Sequence, residues 1–129
     1  MREALIGLFL ALITCLFLAL LPIEWARGAT ANLLTLIGSI YVGFALASKG
    51  ELGIIKQVAG CVFFVALALL GLWVSWWFLV VGLALHGVWD FLHHGDNGKG
   101  VVPQWFVPFC AVYDWAVALF IALFFIAGT

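Results

Sequence analysis

Charged residues are scarce in this chain. Asp, Glu, Lys and Arg make up 9% of its 129 residues, against 67% hydrophobic. A water-soluble domain of this size could not cover its surface with so few polar groups, so that class is excluded. Five basic and six acidic residues leave a net charge of −1. There is no basic field for nucleic acid, and no such partner is expected. Cysteine is also sparse: Cys15, Cys61 and Cys110 form an odd, scattered set in apolar surroundings. That argues against a disulfide framework or a zinc knuckle. The three read as small apolar fillers. No internal repeat is visible. Without one, a monomeric inverted-repeat transporter is disfavoured.

What the chain does have is long apolar runs. A membrane-crossing helix needs about 20 such residues. Residues 4–21 form one run, with only Arg2 and Glu3 before it. A secretory leader is the competing reading, but the run is long and Arg27 interrupts the small residues a cleavage site would need. The expectation is an uncleaved first span. Residues 31–48 form the second, stopped by Lys49-Gly50-Glu51. Residues 52–94 are almost unbroken. As one helix they would be roughly twice the hydrocarbon thickness. A hinge at Gly71–Trp76 divides them into spans over 54–70 and 77–93. Pro103 precedes a last span over 106–127. The expected fold is a single all-α integral membrane domain, a compact bundle of five transmembrane helices, or four if the hinge does not turn. Trp25, Trp73, Trp76, Trp77 and Trp105 suit interface belts.

Orientation follows from Lys and Arg. Arg2, Lys49, Lys56 and Lys99 fall on one side and only Arg27 on the other. The N-terminus is therefore expected in the cytoplasm and the C-terminus outside. Lys56 snorkels to the cytoplasmic interface.

Within this apolar background one segment stands out: His86-Gly-Val-Trp-Asp90-Phe-Leu-His93-His94. Positions i, i+4, i+7 and i+8 share a helix face. Ionisable groups are costly in hydrocarbon and mark a site by default. The last span adds Tyr113 and Asp114. Antiparallel neighbours joined by a short loop should pack together, so Asp114 is expected near His86 and Asp90. The second span brings Ser39 and Tyr41, and its Ser39, Gly43 and Ala47 at four-residue intervals suit close helix packing.

His and carboxylate side chains on facing helices are how bundles build metal centres. His86, Asp90, His93, His94 and Asp114 are the candidate ligands, for a divalent transition metal such as zinc or iron. The same groups suit acid–base catalysis, with His86, Asp90 and Asp114 as the candidate catalytic residues. Tyr41, Trp89 and Tyr113 are candidate pocket residues. The bland reading is interhelical hydrogen bonding for His86 and Asp114, and simple interfacial solvation for His93 and His94. Gly95, Gly98 and Gly100 around Lys99 read as an ordinary turn, with no P-loop spacing.

The run His86–His94, followed by Val102-Pro-Gln-Trp-Phe-Val-Pro-Phe-Cys-Ala-Val-Tyr-Asp-Trp115, resembles a group of small bacterial multi-pass membrane proteins of unknown function. A weaker echo lies in Gly38–Ala45. The resemblance implies a bacterial inner-membrane location and no chemistry. The histidine pattern is also loosely similar to membrane hydroxylases and desaturases, which carry many more histidines than the three here.

Three functions are consistent with these features. The first is a membrane-embedded enzyme, with or without a metal, acting on a lipid-like substrate from the cytoplasmic leaflet. The second is a small homo-oligomeric transporter or channel with a proton or cation relay. The third is an accessory subunit of a larger membrane complex.

Overall fold

A computed structural model describes residues 1–48, 53–93 and 102–128. His94, Lys99 and the glycines between them lie outside that set, as do Lys49 and Glu51. Five helices follow one another: α1 (Arg2–Ala19), α2 (Ile23–Ala47), α3 (Ile54–Trp73), α4 (Trp77–Leu92) and α5 (Phe106–Gly128). No strand occurs among the described residues. α1, α2, α3 and α5 are long and apolar enough to cross a membrane. α4 is shorter, at 16 residues, or about 24 Å of rise against a core of about 30 Å.

The pairing of residues gives the path of the chain. Gly7 lies on Phe109 and Thr14 on Tyr113, so α1 and α5 run parallel. Arg27 meets Gly71 and Gly38 meets Phe64, so α2 and α3 run antiparallel. Gly60 faces Trp89 and Gly71 faces Leu79, while Trp76 meets Phe125 and His86 meets Asp114, so α4 opposes both α3 and α5. α1 packs mainly on α5 and α2 mainly on α3, while α4 lies between α3 and α5, closer to α5. Leu5, Phe9, Leu12 and Leu16 of α1, Val62 of α3 and Leu119 and Leu123 of α5 point outward. An apolar exterior of that kind suits lipid rather than water.

Helix boundaries follow local chemistry. α2 begins at Ile23 rather than near residue 31. Pro22 is its N-cap, a place where proline's missing N–H costs little. Arg27 thus falls inside the helix, and its Nε donates to the Gly71 carbonyl at 2.6 Å. The break between α3 and α4 is at Val74–Trp76, the second half of the expected hinge. Gly71 stays helical, and α4 crosses it so closely that a Cβ would run into the Leu79 side chain. Ser75 Oγ accepts from the Trp77 amide at 3.3 Å and helps start α4. Trp25, Trp73, Trp77 and Trp105 are exposed near helix ends. Trp76 instead stacks on Phe125.

The stripe Ser39, Gly43, Ala47 does not pack. It faces outward, and a Cβ on Gly43 would meet nothing within 4 Å. The packed face of α2 carries Leu34, Gly38, Tyr41 and Ala45 instead. Tyr41 lies on it, and one buried face excludes a second two residues away.

Candidate functional site

Three helices build one buried cluster. α4 supplies His86 and Asp90, one turn apart on its inner face. α5 supplies Cys110 and Asp114, also one turn apart. α2 supplies Tyr41. His86, Asp90 and Asp114 expose no surface. Close approach of α4 and α5 depends on Gly87: a Cβ there would strike the Trp115 indole. Trp115 Nε1 in turn donates to the Ala84 carbonyl at 3.1 Å.

His86 sits between two carboxylates. Its Nδ1 is 2.7 Å from Asp114 Oδ2 and 3.5 Å from Asp90 Oδ2. With the Asp114 carboxylate as acceptor, Nδ1 is the nitrogen that carries the proton. Tyr41 donates its hydroxyl to Asp90 Oδ1 at 2.9 Å. The Cys110 thiol points at Asp114 Oδ2 from 3.7 Å. Donors nevertheless fall short of acceptors. His86 Nε2, Asp90 Oδ2 and Asp114 Oδ1 are buried without a hydrogen-bond partner among the described residues. Buried polar atoms are nearly always paired, and exceptions concentrate where protons or ions are handled.

Two chemistries fit this geometry. A carboxylate that holds the Nδ1 proton leaves Nε2 as the basic atom, the arrangement of a histidine general base. Alternatively, one ligand atom each from His86, Asp90, Cys110 and Asp114 lie within 4.8 Å of one another. Tetrahedral zinc would need ligand separations of about 3.4 Å. His86 and Asp114 would open slightly, and the wider pairs would close by about an ångström.

The sequence expectations are met unevenly. His86, Asp90, Asp114 and Tyr41 come together. Cys110, read from the sequence as an apolar filler, lies with them beside Asp114. Its spacing of four from Asp114 on one helix was the signal available. His93 does not join the ligand group. It is buried rather than solvated, at 4% exposure, and both its nitrogens are engaged. Nδ1–H donates to the Trp89 carbonyl at 2.8 Å, and Nε2 lies 3.0 Å from the Gln57 side-chain amide, which donates to it. Gln57, next to Lys56 in α3, is thus a partner of His93 that the sequence reading missed. Tyr113 turns away; its hydroxyl pairs with Thr14 of α1 at 2.8 Å. Trp89 lies beside the cluster, against Tyr41, Phe64 and His93. His94 lies outside the described residues.

Phe64 separates the cluster from the lipid side. Its ring meets the His86 imidazole edge-on, with centroids 4.8 Å apart. Its other side, with Trp89, lines a groove of about 480 Å³ between α3 and α4.

No curated protein and no solved structure matches the chain. A family model described as a family of unknown function (DUF6010) matches residues 2–129, and the chain belongs to that family.

Proposed function

We propose that this protein is a membrane-embedded enzyme of the bacterial inner membrane, acting on a lipid-like substrate from the cytoplasmic leaflet. His86 is the general base, Asp114 its orienting carboxylate, and Asp90, held by Tyr41, the second charge of the site. The observation that carries this reading is the uncommitted His86 Nε2, buried beside an Nδ1 already bound to Asp114. A proton moves at Nε2; Asp114 fixes the tautomer and stabilises the imidazolium that forms. The substrate side is the α3–α4 groove, one aromatic ring away. The cluster points into one protomer, between α2, α4 and α5, which supports an enzyme over a pore shared between copies.

A metal-dependent form of the same site is favoured by one observation, the convergence of His86, Asp90, Cys110 and Asp114. A soft thiolate beside imidazole and carboxylates suits zinc or iron better than magnesium or calcium.

The test pairs two measurements on protein reconstituted in vesicles of bacterial lipid extract. Mass spectrometry should show lipid species that change with wild-type protein and persist with His86→Gln. Metal analysis should separate the two forms: about one zinc or iron per chain that Asp114→Ala and Cys110→Ala both lose, or none. Lipid conversion that survives His86→Gln would sink the enzyme assignment to this site.

A further inference from the structure

The groove between α3 and α4 has an apolar body and one cationic group. Ala59, Gly60 and Phe64 line one wall and Leu85, Val88 and Trp89 the other, with Lys56 at one end. Lys56 is in the first turn of α3, at the end of the bundle where α4 finishes. Its Nζ is 5.9 Å from the centre of the Trp89 ring. Among the described residues no carboxylate lies within ion-pair distance of it. From Lys56 to Phe64 the groove descends about 12 Å by helical rise, which keeps it within one leaflet. Gly60 shapes its floor: a Cβ there would meet Trp89 Cη2 and Cζ2 at 2.7 Å. Only a residue without a side chain lets the indole lie across α3 at this point. A volume of about 480 Å³ is within the usual range for small-molecule sites, of order 300–1,000 Å³.

We infer that this groove binds an anionic phospholipid, with one acyl chain along Gly60 and Phe64 and the phosphate on Lys56. The charge argument carries the choice of lipid. The Lys56 ammonium at headgroup level, steadied over an indole face, is complementary to a lipid bearing net negative charge. A zwitterionic lipid brings its own cation and gains less there. As a statement about substrate class this rests on the enzyme reading, because Phe64 is the ring between the groove and His86.

Lipid retention tests it without turnover. Purified protein is equilibrated with mixed micelles of phosphatidylglycerol and phosphatidylcholine, and bound lipid is measured by native mass spectrometry. Wild type should favour phosphatidylglycerol about five-fold, the factor one lysine gains near an anionic surface. Lys56→Gln should bring the two lipids to parity, and Lys56→Arg should keep the preference. Ala59→Trp, which fills the groove from an exposed position, should cut retention of both. His86→Gln should retain lipid normally, so loss of turnover and loss of binding are read apart. Parity in the wild type, an undiminished preference in Lys56→Gln, or full retention in Ala59→Trp would each overturn the assignment. Lipid conversion that continues despite such a result would leave the His86 site standing and remove only the groove.

Discussion

Gly7→Ala should destabilise the bundle, although alanine is the better helix former. Gly7 lies against the backbone of α5 at Phe109. An added Cβ would fall on the Phe109 carbonyl oxygen and lie 3.2 Å from its Cα. Backbone atoms cannot rotate aside, so α1 and α5 must separate. Overpacking of this kind costs about 1–3 kcal/mol. Alanine returns up to about 1 kcal/mol of helix propensity. Gly43→Ala measures that return alone, because nothing lies within 4 Å of its Cβ position. Gly43→Ala should be neutral or stabilising, and Gly7→Ala destabilising. We expect the two to differ by about 2 kcal/mol, or about 30-fold in the unfolding equilibrium. Reversible unfolding in mixed micelles titrated with dodecyl sulfate, followed by tryptophan fluorescence, reads this difference. Agreement of the two variants within about 0.5 kcal/mol would refute the close contact of α1 with α5. The separation should also weaken the Thr14–Tyr113 bond, about one turn further along α5.

Three further outcomes are expected. Tyr41→Phe removes the donor to a fully buried Asp90 and should cost about 1–2 kcal/mol, whereas Tyr113→Phe loses only a half-buried bond to Thr14 and should cost about 0.6 kcal/mol; equal costs in the same unfolding assay would contradict the difference in burial. His86→Ala and Asp114→Ala should couple by about 1 kcal/mol or more in a double-mutant cycle, while His93→Ala and Asp114→Ala should add within about 0.5 kcal/mol. Strong coupling of His93 to Asp114 would mean that His93 belongs to the cluster after all. Arg27→Ala removes the donor to the Gly71 carbonyl, so hydrogen exchange at the Val74 and Ser75 amides should speed up, and unchanged exchange there would show that this bond does not hold the α3–α4 turn.

The polar residues were legible in the sequence because hydrocarbon makes each of them costly. His86, Asp90 and Asp114 could be paired by helical periodicity and antiparallel packing alone. Tyr41 was the one phenol of the second span. Its packed face was legible only in part, because the small-residue stripe two positions away is a equally good pattern on paper. Nothing in composition says which stripe meets a neighbour. Cys110 reads as filler for a different reason. A lone cysteine in an apolar helix is usually filler, and only the position of Asp114 one turn later makes it part of a site. His93 shows the converse error. Its place on the polar face suggested a ligand, but at the end of α4 a carbonyl and an amide were within reach of its ring nitrogens. Periodicity fixes direction around a helix; it does not say which partner arrives first.

The start of α2 has the same character. Residues 23–30 include Glu24, Arg27 and Thr30, and hydropathy alone stops the span there. The helix continues because each polar group has an outlet. Arg27 reaches a carbonyl of α3, and Thr30 Oγ1 donates to the Ala26 carbonyl one turn back at 2.7 Å. Glu24 sits in the first turn, where a negative charge favours the helix N-terminus. A local apolar window ends where charge begins, but a helix ends where its backbone bonds can no longer be made. In a bundle those two limits separate wherever side chains find partners on the next helix. The buried cluster marks the opposite case. There the partners among the described residues do not use every polar atom, and that remainder is the physical ground on which we propose His86 as the reactive group.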